Sequence, residues 1–265
     1  DVKGFWNENS CGEELYLAGE DMKSYLKQRE VRYELEPYII DFAQFDNSKG
    51  KKTLEVGLGL GADHQGFAEN GADLYGVDLT ERSIEHVKKR FYFLKLKSTL
   101  TVGDAEALDF PDNYFDVVYS WGVIHHSPNT QKAASEIMRV LKPGGEFRVM
   151  IYHKNSLVGW MLWLRYGLLK GRLRISLEEI YSKYLESPGT KAYTKKEAED
   201  LFHTSSSLKI NIELAHGDLL ESQAGQRHAG FFLDVARKIW PRFIFRKIFK
   251  NNGLYLLING KKTST

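Results

Sequence analysis

The chain has 265 residues and a mass of 30.5 kDa, enough to bury one sizeable core with additions or two small domains. Hydrophobic residues make up 42% and charged residues 27%, which excludes wholesale disorder, and a net charge of +2 removes any global argument for nucleic acid as a partner. The single cysteine, Cys11, excludes an intramolecular disulfide and a multi-cysteine metal site, and no cluster with metal-ligand spacing is present, so no metal is expected.

The opening residues, Asp1 to Asn7, lack the apolar core of a signal peptide, and no run approaches about 20 apolar residues, so the expected compartment is the cytoplasm without a membrane span. Residues 1–50 read as helical. Tyr33, Leu35, Tyr38, Ile39 and Phe42 offer apolar positions to a neighbour, and Phe5, Trp6, Asn7 and Tyr16 offer a surface suited to a lid. From Lys52 to Ile151, strand-like and helix-like segments alternate at the spacing of βαβ units, which implies a mostly parallel sheet covered by helices. Strands are expected at 53–56, 74–77, 99–102, 117–120 and 146–151.

Thr80 is placed to cap a helix through Ile84, Val87 and Phe91. Asn129 or Thr130 starts another, whose Ala134, Ile137, Met138 and Leu141 share a face before Pro143-Gly144-Gly145 stops it. Residues 153–207 break the alternation and read as inserted helices. Strand character returns at 209–214 and 254–259. The expected organisation is one domain, 1–265: a helical lid (1–50), a core (51–152), inserted helices (153–207), and C-terminal strands with a basic aromatic helix (208–265).

The run Leu54-Glu55-Val56-Gly57-Leu58-Gly59-Leu60-Gly61 reads as a buried strand feeding a tight turn, where missing Cβ atoms let the backbone approach a ligand. The next strand ends at Asp78, 21 residues after Gly57, with a carboxylate suited to the vicinal hydroxyls of a ribose. Together they indicate a nucleoside. Gly57, Gly59 and Ala62 also satisfy the dinucleotide pattern GxGxxG/A, which leaves a nicotinamide- or flavin-dependent oxidoreductase as the alternative.

Downstream, Gly103-Asp104-Ala105 through Phe110-Pro111, Phe115-Asp116 through Gly122-Val123-Ile124-His125-His126, and Leu141-Lys142-Pro143-Gly144-Gly145 follow in order. With the glycine turn they resemble the class I S-adenosylmethionine-dependent methyltransferases, nearest to the ubiquinone/menaquinone-type small-molecule enzymes, over roughly residues 52–152. The resemblance implies a three-layer Rossmann-like α/β fold with a seven-stranded, mostly parallel sheet and an antiparallel last strand. It implies in-line methyl transfer to an O, N, S or C nucleophile of a small molecule, releasing S-adenosylhomocysteine. It assigns the cofactor to Glu55, Gly57, Gly59, Gly61, Asp78, Leu79, Asp104, the Ala105 backbone, Ser120 and Trp121.

His125 and His126 follow the fourth strand at the lip where an acceptor would meet the methyl group, and histidine titrates near neutrality, so one of them is a candidate base. Tyr152 is the third catalytic candidate. Trp6, His153, Asn155 and Tyr193 are candidate acceptor contacts, although Thr194 with Glu197 also reads as a capping box beside Tyr193. The aromatic insertion points to an apolar or aromatic acceptor, with a small thiol as the other option. Leu157 to Leu164 is apolar and leads into Arg165, Lys170, Arg172 and Arg174, and Phe231 to Lys250 interleaves aromatic and basic residues. Such segments can meet an anionic membrane surface, line an acceptor pocket, pack on the core or form a dimer seam. Monomer and homodimer both remain open, and so does a catalytically silent cofactor-binding module.

Overall fold

Four helices precede the first strand: α1 (Val2–Glu8), α2 (Glu13–Tyr16), α3 (Met22–Leu35) and α4 (Tyr38–Ala43). The computed structural model describes residues 2–221, 237, 238 and 240–264. After the helices the chain alternates through β1 (Lys52–Val56), α5 (Ala62–Glu69), β2 (Asp73–Asp78), α6 (Glu81–Leu94), β3 (Thr99–Val102), β4 (Phe115–Trp121), α7 (Thr130–Val140) and β5 (Leu141–Tyr152). The insertion contributes α8 (Leu157–Tyr166), α9 (Leu177–Tyr184) and α10 (Lys195–Leu201) before β6 (Ser205–Glu213), α11 (Arg242–Ile248) and β7 (Tyr255–Lys262).

The seven strands form one sheet in the order β3-β2-β1-β4-β5-β7-β6, with β7 antiparallel to both its neighbours. Because the order reverses between β1 and β4, a crevice opens at their carboxyl ends. The β1–β4 pairing stops at Glu55 opposite Tyr119, whereas β4 runs on to Trp121. Side chains of β4 alternate between the two faces: Tyr119 joins a core with Phe42, Phe67 and Ile180, and Val118 joins one with Leu54, Ile137 and Phe202. Helices on both faces make the three layers.

Local chemistry sets the helix starts. The Thr80 hydroxyl accepts from Ser83 N, Asn129 rather than Thr130 caps α7 through Lys132 N, and Thr194 with Glu197 closes a reciprocal capping box on α10. One boundary differs from expectation. α7 ends at Val140, so Leu141 is not on the helix face but opens β5, and Pro143-Gly144-Gly145 lies inside the strand. The register jumps there from Phe115–Leu141 to Val117–Glu146, a bulge whose Gly144 takes φ +76°. Of the basic aromatic segment expected at 231–250, residues 231–236 and 239 lie outside the described residues; its helical part is α11.

The amino-terminal helices are tied to α6. Glu13 accepts two hydrogen bonds from Arg82 (2.5 and 2.7 Å) and lies 3.2 Å from His86, Lys3 reaches Glu81, and Glu20 pairs with Lys89. Buried Arg90 of α6 donates to the Tyr25 carbonyl and the Gln28 and Gln65 side chains.

Candidate functional site

Gly57, Gly59 and Gly61 form the β1–α5 turn with φ of +82°, +50° and +77°, a region that L side chains rarely adopt. A Cβ on Gly57 would sit 2.0 Å from Val123 Cγ2, and one on Gly61 would sit 2.8 Å from Val87 Cγ2. Gly59 is different: a Cβ there meets nothing within 4 Å, and the residue lines a cavity of about 810 Å³. The turn is thus packed on both flanks and open in the middle. Asp78, at the end of β2, holds its shape. One carboxylate oxygen accepts from Leu58 N (2.7 Å) and Gly59 N (3.3 Å), and the other accepts from Thr80 N and Oγ1. Asp78, Leu79, Asp104 and Ala105 all line the cavity, and Asp104 also caps its own turn by accepting from Glu106 N.

Beneath the turn, burial raises the Glu55 carboxyl well above its ordinary range and lowers His64 to about 3, which favours a neutral pair. Their contact is 2.9 Å, and the other His64 nitrogen meets Ser98 Oγ. Beside them, buried Asp63 of α5 accepts a two-pronged bond from Arg32 (2.9 and 2.7 Å) and a bond from the Tyr119 hydroxyl. Arg32 also reaches Glu36 and lies over the Trp121 ring, and Tyr255 donates to Glu36 (2.6 Å). Arg32, Glu36, Asp63, Trp121 and Tyr255 all face the cavity.

At the far end, His126 turns one ring nitrogen to the Ser187 and Thr190 hydroxyls (2.8 and 3.1 Å) and the other toward Glu186, 3.4 Å away. Tyr152 donates to the same Glu186 oxygen at 2.7 Å. Burial pushes the Glu186 carboxyl up, but the contacts from His126 and Tyr152 outweigh it, and its pKa lies below the ordinary value. Trp6 of α1 packs edge-on to His126, and Cys11 lines the same space.

A cavity of this size can hold a nucleoside cofactor together with a small second molecule, since ligand pockets run roughly 300–1,000 Å³. Residues 54–149 match the family model described as a methyltransferase domain. Over these residues the chain is similar to the class I S-adenosylmethionine-dependent small-molecule methyltransferases. The methyltransferase core is 32% identical over 112 residues to phosphoethanolamine N-methyltransferase 2 of Caenorhabditis elegans, covering 42% of this chain and 26% of that one. It is 33% identical over 140 residues to a demethylmenaquinone methyltransferase of Tropheryma whipplei, covering 51% and 57%. The chain therefore spans less than two thirds of either relative. In fold it resembles phosphoethanolamine N-methyltransferase 2 of Haemonchus contortus, a structure with phosphomonomethylethanolamine and S-adenosylhomocysteine. That likeness has a TM-score of 0.61 at 18% identity, over 99% of this chain and 60% of the other. The match selects S-adenosylmethionine over the dinucleotide that the glycine pattern also allowed.

Of the residues singled out in the sequence, the methyltransferase cavity gathers Trp6, Glu55, Gly57, Gly59, Gly61, Asp78, Leu79, Asp104, Ala105, Trp121, His126 and Tyr152. Five others lie elsewhere. Ser120, assigned through a backbone carbonyl, does not line the cavity, and its side chain is buried on the opposite face of β4 from Trp121 as strand alternation requires. His125 is fully buried behind His126, its ring 4.1 Å from that of Tyr152, and neither nitrogen has a hydrogen-bond partner among the described residues. Burial lowers its pKa well below the ordinary histidine value, so it is a poor base at a site it does not reach. His153 bonds the Gly253 carbonyl, and its backbone bridges Tyr193. Tyr193 packs in the core on the α7 side. Asn155 is exposed and receives Asn252 through its backbone carbonyl. Sequence reasoning missed Arg32, Glu36, Asp63, Glu186 and Tyr255. The Arg32–Glu36 spacing of four across the end of α3 and Asp63 just past the glycine turn were available signals; Glu186, in a loop after α9, had none.

Proposed function

We propose that the chain, as one methyltransferase domain, transfers the methyl group of S-adenosylmethionine to a small molecule bearing an N–H or O–H nucleophile held against Glu186. The observation that carries this reading is a single cavity running from the open glycine turn and Asp78 to a carboxylate lowered below its ordinary pKa and anchored by Tyr152 and His126. When bound, S-adenosylmethionine supplies a sulfonium-activated methyl group. Asp78 would receive the ribose hydroxyls, Asp104 and the Ala105 backbone the adenine, and Arg32 the methionine carboxylate. In-line displacement needs alignment above all, and positioning alone supplies up to roughly 7–11 kcal/mol in the best intramolecular models. Glu186, kept ionised, would orient the acceptor and stabilise the positive charge that develops on its nucleophile as the methyl group is transferred, the proton leaving afterwards to solvent, with His126 holding the carboxylate in place while Trp6 and the amino-terminal helices exclude water from the transfer itself.

The test is transfer of labelled methyl from S-adenosylmethionine across a panel of amines, phenols and thiols. The proposal expects turnover on an amine or hydroxyl acceptor, and a fall of roughly 10²–10⁴-fold in Glu186→Gln with S-adenosylhomocysteine affinity retained. Turnover confined to thiols, or unchanged in Glu186→Gln, would remove the carboxylate from the mechanism.

A further inference from the structure

We infer that the outer faces of α8, the turn after it and α11 together form a docking surface for an anionic lipid bilayer. The reading starts from charge. Residues 155–177 contain four basic side chains, Arg165, Lys170, Arg172 and Arg174, and no acidic one. Residues 237–252 contain six, Arg237, Lys238, Arg242, Arg246, Lys247 and Lys250, again with no acid. The whole chain carries only +2, so everything outside these two stretches is net acidic. A segregation this sharp concentrates positive potential on one part of the molecule.

The fold brings the two stretches together. The backbone N–H of Leu157, at the start of α8, donates to Asn252 O, and Asn252 Nδ2 returns a bond to Asn155 O. Asp218 accepts from Val158 N on one side, and its carbonyl accepts from Trp240 Nε1 on the other. On these two stretches large apolar side chains stand exposed: Trp160, Leu164, Leu169, Leu173, Phe243 and Ile248, with Leu169 72% and Phe243 78% exposed. Lys170, Arg174, Lys247 and Lys250 are exposed beside them and have no ion-pair partner among the described residues.

Exposed apolar tips ringed by uncommitted cations suit an interface in which the tips enter the headgroup boundary and the cations meet anionic lipid. Among the described residues no helix is long and apolar enough to cross a membrane, and α8 has only 10 residues, so the contact is peripheral. The same insertion leads through α9 to Glu186, so the docked face and the acceptor end of the cavity share one structural unit.

The experiment is co-sedimentation of the full chain with vesicles of phosphatidylcholine alone and of phosphatidylcholine mixed with phosphatidylglycerol. Strong partitioning is expected to the anionic vesicles at low salt, falling as salt rises, with little to the zwitterionic ones. Each basic residue near the surface contributes about fivefold, so replacing Lys170, Arg174, Lys247 and Lys250 with Gln should reduce partitioning by roughly 10²-fold or more. Leu169→Asp with Phe243→Asp should abolish it at low salt while thermal unfolding stays unchanged, as expected for exposed positions. No binding to anionic vesicles, equal binding to zwitterionic ones, or indifference to both sets of substitutions overturns the inference. So does a lipid-free dimer in sedimentation velocity that Leu169→Asp dissociates, which would give the face to a second copy of the chain.

Discussion

Substituting the glycines of the β1–α5 turn one at a time separates its two jobs, because the middle glycine faces open space and its flanking neighbours do not. Gly57→Ala forces a methyl to 2.0 Å from Val123 Cγ2 at φ +82°. The left-handed backbone costs about 1 kcal/mol for a residue with a Cβ, and overpacking adds roughly 1–3 kcal/mol. A total near 2–4 kcal/mol lowers Tm by roughly 5–15 °C in a chain of this size. Val123→Ala removes the atoms in the way, so the double variant should be more stable than the summed single effects by about 1–3 kcal/mol. Gly59→Ala meets nothing within 4 Å. It should therefore cost only the backbone term, about 1 kcal/mol, yet weaken S-adenosylhomocysteine at least about tenfold, because its methyl projects where the ligand backbone contact is made. Thermal unfolding with and without ligand reads all four proteins. Wild-type stability in Gly57→Ala, or wild-type ligand affinity in Gly59→Ala, would refute the reasoning.

Three further outcomes follow from contacts elsewhere. Glu13 is lowered from 4.5 to about 2, chiefly by the Arg82 hydrogen bond; a depressed carboxyl stabilises above its unfolded pKa and loses that contribution as pH falls through the folded value. The stability difference between wild type and Glu13→Gln should be about 1 kcal/mol near neutrality after solvent screening, and should vanish between about pH 4.5 and 2; a pH-independent difference in urea unfolding would discount the latch. Asp218 accepts backbone bonds from Val158, Ala215 and Leu254, so Asp218→Asn, which turns an amide against those donors, should cost about 2–3 kcal/mol in denaturant unfolding. Asp63→Ala strips the half-buried Arg32 of its main partner and should cost roughly 2–3 kcal/mol, with Glu36 softening the loss; a change under about 1 kcal/mol would mean that Arg32 re-pairs completely.

The cofactor end was legible because its signals are local. Three glycines in five residues close β1 and an acid closes the next strand, and adjacent parallel strands bring the two ends together in the site. The parallel part of the sheet was legible in the alternation of strand-like and helix-like segments, whereas the antiparallel last strand came from the family resemblance. The acceptor end was not legible in the same way. His125 and His126 are indistinguishable as letters, and a single 3-10 turn, Ile124–His126, points one into the cavity and the other into the core. His153 and Asn155 sit one and three residues past Tyr152, but the chain there bridges Tyr193 and Asn252 and so turns away. Glu186 reaches Tyr152 across 34 residues and Arg32 reaches Asp63 across 31, and neither pairing leaves a periodic trace. Only packing creates them.

The claim on which the rest depends is that the open glycine turn cradles a sulfonium nucleoside. Isothermal titration of the full chain with S-adenosylhomocysteine, alongside NADH and with Gly59→Val as the matched control, addresses it directly. One-to-one binding of S-adenosylhomocysteine, none of NADH, and loss of binding in a Gly59→Val protein that still unfolds cooperatively is the predicted result. Binding of NADH in its place, or S-adenosylhomocysteine affinity untouched by Gly59→Val, would contradict the account.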